Sequence, residues 1–420
     1  MRLLCAASLL VLSLSAQDVR PKDVREIGKA GKAALPRLAE LLKNPNTDVR
    51  VEAVKQITAI GTIDSLDSLI QATRDNDPEV QIRAVDGLVN FYLPGYVQTG
   101  FAASVKRVGT GIKGKFTDTN DQVIDPFLTV RPDVIAAIGA LARGGASMEV
   151  RANAARASGI LRGKQAVPDL IAALRSKDST VMYESLNALE KIRDESAGPQ
   201  FQFLLRDLDQ RVQITAIEAT GLLKNREAVP DLIDVLNRAK DVKVRRAALG
   251  SLAMIPDAKS RPLFAQYLKD PKDDRMRAAA AEGYARLHDP ADLPAIEQAW
   301  KDEAKGQPRV SMAFAMVALG RTEVAEFSPL QFLINQLNSS AYKGEAQPFL
   351  IELARNPQVR SSLYPAIETG TKMEKIGLAQ VLAASGDRAS LPYLEKLSRD
   401  PDTEVAQEGL RAMRNLQARL

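Results

Sequence analysis

The sequence predicts an all-α fold, an α-solenoid of helical hairpins broken by one insertion, on three observations. The chain has 420 residues, beyond the length at which a single core keeps growing, so it forms either several domains or an extended array. Aromatic residues are only 5% against 45% apolar overall, which favours the array. Two sequence markers recur at one shared period of 31 to 32 residues, the signature of stacked repeats.

The first element is an address. Residues 1–16, MRLLCAASLLVLSLSA, place one basic residue, Arg2, before an apolar run from Leu3 to Leu14, and small side chains at Ser13, Ser15 and Ala16. That is the layout of a secretory signal peptide. The run is too short to span a bilayer at 1.5 Å per residue, and no second run of about 18 apolar residues follows. The mature chain is therefore expected to be exported, periplasmic or extracellular, with no transmembrane segment. Cleavage after Ala16 removes Cys5, the single cysteine, and with it any disulfide.

Residues 17–91 are read as an N-terminal cap and repeats, and 129–420 as further repeats with a C-terminal cap. Ala-Val-Pro-Asp-Leu-Ile stands at 166–171 and again at 228–233. The prolines continue from Pro168 to Pro199, Pro230, Pro262 and Pro294, and Leu35-Pro36-Arg37-Leu38 matches Leu66-Asp67-Ser68-Leu69 upstream. Proline suits the first turn of a helix, where its missing N–H would be an orphan anyway. Pro168, Pro199 and Pro230 are thus expected to open the first helix of a hairpin. The second marker, Val49, Val80, Val150, Val181, Val212, Val244 and Met276, is expected to open the second helix. Four residues on, the side chain is small (Ala53, Ala84, Ala154, Ser185, Ala216, Ala248, Ala280), and five on it is apolar (Val54, Val85, Ala155, Leu186, Ile217, Leu249, Ala281). These spacings put both on one side of a helix. Gly163 and Asn225 follow second helices, where a left-handed cap is expected.

The Ala-Val-Pro-Asp-Leu-Ile opening, the turn Arg175-Ser176-Lys177-Asp178, and the Val-Arg openings at Val150-Arg151 and Val244-Arg245 resemble HEAT repeats, most closely the subtype named after phycobilisome lyases. The resemblance covers about residues 20–420 in some eleven units, with units near Ala341 and Ser361 degraded. It implies a right-handed α-solenoid whose second helices line a concave surface that holds a partner. A fold of this kind does not specify an activity.

From Val80 to Val150 there are 70 residues where one period is expected. Residues 92–128 are read as an insertion, since Gly109, Gly111 and Gly114 fall where a second helix would lie and each costs about 1 kcal/mol there. Insertions in solenoids emerge on one face and often carry binding. The insertion holds Tyr92, Tyr96, Phe101 and Phe116, and its stretch 101–116 carries Lys106, Arg107, Lys113 and Lys115 with no acid. Cations interleaved with apolar residues suit an anionic surface, or an ordinary hairpin packed on the array.

Catalytic chemistry finds little here. One histidine and one cysteine exclude zinc fingers and Cys/His clusters. Gly109 to Gly114 spells G-x-G-x-x-G, but no strand precedes it, so it reads as a turn. Asp118, Asn120, Asp121 and Asp125 offer oxygen ligands, yet the spacing lacks the glycine and the glutamate of a calcium loop. His288, in Leu287-His288-Asp289-Pro290, reads as a turn residue. Deoxyhypusine hydroxylases of HEAT type use repeated His-Glu pairs, which are absent, and bilin lyases work in the cytosol. No catalytic residue, cofactor or metal is expected.

One residue past the second marker runs a column of Arg50, Gln81, Arg151, Met182, Gln213, Arg245 and Arg277. Its four arginines form either a cationic strip or internal bonds to carboxylates and carbonyls, with Asp207 and Asp270 suitably placed. The candidate partner-binding residues are Tyr92, Tyr96, Phe101, Lys106, Arg107, Lys113, Lys115 and Phe116, with Arg50, Arg151, Arg245 and Arg277. The reading is a non-enzymatic exported scaffold for a protein partner. The alternative is a HEAT-like enzyme, DNA glycosylase-like or lyase-like, with a cationic concave face. Nucleic acid is not the expected partner, because a net charge of +5 spread over 420 residues is mild and an exported chain rarely meets DNA.

Overall fold

The computed structural model describes residues 19–97, 122–125 and 127–420. Among them the secondary structure is helical throughout, without strands. The described residues divide into two compact units, one of residues 19–97, 122–124 and 130–192, the other of residues 125, 127–129 and 193–420. The signal-peptide reading of residues 1–16 lies outside the described residues.

The first unit contains α1 (Pro21–Gly28), then the hairpins α2 (Leu35–Leu41) with α3 (Thr47–Ile60), α4 (Ser65–Ala72) with α5 (Pro78–Tyr92), α6 (Pro132–Gly144) with α7 (Met148–Ile160), and α8 (Val167–Ala173) with α9 (Ser179–Ile192). Successive second helices α3, α5, α7 and α9 stack side by side, and α1 packs on α3 as a cap.

The second unit opens with a 3₁₀ segment, Glu195–Arg206, paired with α10 (Gln210–Leu222). Then come α11 (Val229–Arg238) with α12 (Val242–Met254), α13 (Arg261–Tyr267) with α14 (Asp274–Leu287), and α15 (Leu293–Asp302) with α16 (Gly306–Ala318). It ends with α17 (Pro329–Asn335) and α18 (Lys343–Leu353), α19 (Pro357–Thr369) and α20 (Lys372–Ser385), and α21 (Leu391–Leu397) and α22 (Thr403–Gln417). The described residues thus form eleven hairpins, and the stretches read as degraded near Ala341 and Ser361 are helical despite Pro348 and Pro365 inside α18 and α19.

The marker frame has a local cause. Each of Val49, Val80, Val150, Val181, Val212, Val244 and Met276 is the third residue of its second helix. Three residues earlier stands a helix cap, Asn46, Asp77, Ser147, Asp178, Asp209, Asp241 or Asp273, whose side-chain oxygen accepts backbone N–H groups of the first turn. Such a cap satisfies donors that no carbonyl in the helix can reach. This column was not read from the sequence, although it recurs as regularly as the valines.

The small and apolar rows are buried as expected, from Ala53 and Val54 through Ala280 and Ala281, at no more than 1% exposure. Close approach is plainest at two glycines. A Cβ on Gly159 would lie 2.8 Å from Ala188 Cα, and one on Gly221 would lie 2.7 Å from Ser251 Cα. Both stand nine residues past their marker and meet the residue seven past the next, so neighbouring second helices touch backbone to backbone.

Two expectations are corrected. Pro199 does not open an α-helix: it lies inside the 3₁₀ segment, which kinks at Phe201 with φ −128°. The first helices α2, α8, α11, α13, α15 and α21 begin with a side chain immediately before proline, such as Val167 or Val229, whereas Gly198 holds that place here and weakens the helix. The left-handed caps are not Gly163 and Asn225 but the residues before them, Arg162 at φ 48° and Lys224 at φ 51°. The Gly163 and Asn225 N–H groups instead reach back five residues, to the Ser158 and Thr220 carbonyls, in the Schellman arrangement. Gly163 is small for another reason, since a Cβ there would come within 2.6 Å of Ile135.

Candidate functional site

At Tyr92–Val97 and at Ile124 the insertion is anchored to the first unit. Helix α5 continues to Tyr92, whose ring meets Phe91 edge-on with centroids 5.0 Å apart. The Tyr92 hydroxyl accepts the backbone N–H of Arg131 at 3.1 Å, so the last residue of α5 and the cap of α6 are in contact. Arg131 precedes Pro132 and is extended there, as a pre-proline residue should be. Its guanidinium bridges Asp67 on α4 at 2.7 Å and Asp133 on α6 at 2.5 Å. The Arg131 side chain holds the Asp133 carboxyl below the usual carboxylate range.

Just inside this clasp, Val97 N–H donates to Asn90 Oδ1 at 2.9 Å. On the other side, Ile124, 4% exposed, donates its N–H to the carbonyl of Ile160, the last residue of α7, at 3.0 Å. That carbonyl has no partner within its own helix. Tyr96 sits by a polar row on the second helices. Burial, with the Asp86 carboxylate, pushes its phenol above the ordinary value; Arg156 opposes and Glu184 reinforces. In that row Asn153 donates to Asp86 at 3.2 Å, and Arg156 grips Glu184 through two hydrogen bonds of 3.1 and 2.5 Å. Arg156 and Glu184 are 7% and 6% exposed, a desolvated ion pair that is costly to leave half-made.

Of the predicted site residues, Tyr92 and Tyr96 both stand at the base of the insertion, Tyr92 against Arg131 and Tyr96 by the polar row. Phe101, Lys106, Arg107, Lys113, Lys115 and Phe116 lie outside the described residues, as do the glycine motif and Asp118, Asn120 and Asp121. Asp125, the last oxygen of that set, pairs with Arg411 on α22.

The arginine column turns inward. Arg50 forms an ion pair with Asp75 at 2.7 Å and donates to the Asn44 carbonyl at 3.0 Å. Gln81 donates to the Asp75 carbonyl, Arg151 to Ala142, and Gln213 to Leu205. Arg277 donates to the Asp270 carbonyl at 2.9 Å and to Glu303 at 2.6 Å, while Arg245 donates to the Tyr267 hydroxyl at 3.1 Å. Five of the seven, Arg50, Gln81, Arg151, Gln213 and Arg277, thus close the end of the preceding first helix, whose last carbonyls lack partners. Asp270 takes part through its carbonyl, and the carboxylate comes from Glu303 in the following hairpin. The cationic strip is spent on the fold. His288 is a left-handed turn residue at φ 51°, in the place read for it.

Among the described residues no group of three or more His, Cys, Asp and Glu side chains is placed to hold a metal ion. No described helix is long and apolar enough to cross a membrane.

Hairpins of short and long helices, stacked so that second helices bury small residues against each other, define an α-solenoid. The family model for HEAT repeats matches residues 9–95, 135–202, 199–285 and 231–316, well over half of the chain, and the chain belongs to the HEAT-repeat family. Among solved structures it is similar to an engineered protein at 17% identity, covering 91% of this chain and 98% of that one with a TM-score of 0.33. It is also similar to the Escherichia coli protein YibA at 16% identity, covering 71% and 95%, TM-score 0.40, and to importin beta at 15% identity, covering 96% and 60%, TM-score 0.40. No curated protein matches. At such identities the assignment rests on the repeat itself.

Proposed function

We propose that this chain is a non-enzymatic exported scaffold, of the phycobilisome-lyase type of HEAT repeat, that holds a protein partner through its insertion. The observation that carries the reading is the clasp: Tyr92 to Arg131, Val97 to Asn90 and Ile124 to Ile160 fix both ends of residues 98–121 on the first unit. A segment held in this way can be displayed without altering the array beneath it, and loops on rigid scaffolds are where binding concentrates. The inward engagement of Arg50, Arg151, Arg245 and Arg277 leaves the insertion as the better candidate of the two predicted surfaces.

The test is to replace residues 98–121 with a short Gly/Ser linker and to place a photo-crosslinking residue at Lys106 or Lys113 in the intact protein. The expected result is unchanged helical content, loss of the partner on deletion, and a crosslink to that same partner. A deletion form that still captures the partner would overturn the reading. Export is tested apart from this, by the N-terminus of the native protein, expected near Gln17 in the periplasmic or extracellular fraction.

A further inference from the structure

The turns that join first to second helices in three consecutive hairpins of the second unit lie along one edge. They are laced together: Asp241 lies in hydrogen-bond contact with Gln210 of the preceding turn, Arg246 grips Asp273 at 2.9 Å, and Arg277 grips Glu303 at 2.6 Å. Helices in such stacks are spaced about 8–10 Å apart, so the turns form successive rows at that interval. Residues 239–246, 269–277 and 301–309 together hold eleven cations and six carboxylates, an excess equal to the net charge of the whole chain.

The two charges are not equivalently placed. Asp241 and Asp273 cap their helices, Asp270 accepts the Lys272 N–H, and Glu303 is held by Arg277. Asp274 accepts the Arg275 N–H, so five of the six anions are committed to backbone N–H groups or to inner guanidiniums, while the sixth, exposed Asp302, accepts the Gln298 side-chain amide. Lys240, Lys243, Lys269, Lys272, Lys301 and Lys305 are all exposed, and none forms an ion pair. Two apolar side chains stand on the same edge, Leu208 fully exposed and Val242 46% exposed.

We propose that this edge docks on an anionic lipid surface, the lysines meeting headgroup charge and Leu208 with Val242 entering the interfacial layer. The choice of lipid over an acidic peptide or nucleic acid rests on the kind of cation. Recognition of a particular carboxylate or phosphate favours the planar two-pronged guanidinium of arginine, and four of the five arginines, Arg245, Arg246, Arg277 and Arg309, are engaged internally, with Arg275 alone exposed beside the six lysines. What faces solvent is mostly lysine, a mobile point charge suited to a diffuse layer of charge, beside apolar tips that a headgroup region accepts.

The experiment is sedimentation of the intact protein with vesicles of phosphatidylcholine alone or with one quarter phosphatidylglycerol, at low and at physiological salt. Binding to the anionic vesicles only, weakened by salt, is expected. Lys240→Glu, Lys243→Glu and Lys272→Glu together should weaken it at least about 100-fold, since each lysine near such a surface contributes roughly five-fold and each new carboxylate adds repulsion. Leu208→Ser should weaken it about ten-fold. A matched control, Arg226→Glu, Lys259→Glu and Arg388→Glu, reverses exposed cations at the opposite ends of hairpins and should change little. Lys→Gln at the three edge positions, with helical content checked by circular dichroism, separates lost charge from lost folding. The proposal is overturned by equal effects of edge and control variants, by absence of vesicle binding, or by binding to poly-glutamate or duplex DNA but not to vesicles.

Discussion

Lys243 and Arg245 stand two residues apart on α12, and their side chains serve opposite ends. Arg245 reaches inward to the Tyr267 hydroxyl, as its counterparts Arg50, Arg151 and Arg277 reach the carbonyls that end the first helices. Lys243 points to solvent with Lys240, Lys269 and Lys272. The residue after the marker lies beside the end of the preceding helix, so a cation there becomes part of the framework. The residue before it lies on the rim of the turn, where the neighbouring carboxylate is already occupied as a cap. Position within the hairpin, more than charge, separates structure from surface.

Substitutions should divide along the same line. The largest loss is expected at the most desolvated pair: Arg156→Ala strands Glu184 and should cost about 3–5 kcal/mol, read as a lower urea midpoint. Next, Leu186→Ala and Ile217→Ala, both at 0% exposure, should each cost about 2–4 kcal/mol, as removal of a buried branched side chain does. No change in either would contradict burial by stacking. Asp77→Ala removes the cap that accepts from Glu79 and Val80 and should cost about 1 kcal/mol.

Acid sharpens the distinction further. Burial pushes the Asp273 and Glu303 carboxyls up, but Arg246 and Arg277, with backbone N–H groups, outweigh it and hold both below the usual range. A folded-state value below the unfolded one gives stability that is present above the unfolded value, near pH 4, and is lost as pH falls through the depressed one. The Arg277→Gln variant should therefore lose less stability than the parent between pH 5 and pH 3, in paired urea titrations. The smallest effect is expected from Lys240→Ala and Lys272→Ala, within about 0.5 kcal/mol. A loss comparable to that of Arg156→Ala would erase the contrast between framework and rim.

The period of 31 to 32 residues was enough to specify helical hairpins, their order and their buried rows, because each of these follows from residue spacing along a helix. The sequence also marked the departure from the period between Val80 and Val150 and named Tyr92 and Tyr96 within it. It did not show that Arg162 and Lys224 take the left-handed cap, since the choice between adjacent residues depends on which N–H reaches back to Ser158 or Thr220. Nor did it show that Pro199 lies in a 3₁₀ segment, where a glycine before the proline weakens the regular opening. The roles of the charged side chains were decided by tertiary structure alone. Arg277 and Glu303 are 26 residues apart in sequence and 2.6 Å apart in space, and Arg156 meets Glu184 across 28 residues. Charge is read from composition, but whether it is spent or displayed depends on which carboxylates and carbonyls the neighbouring hairpin brings within reach.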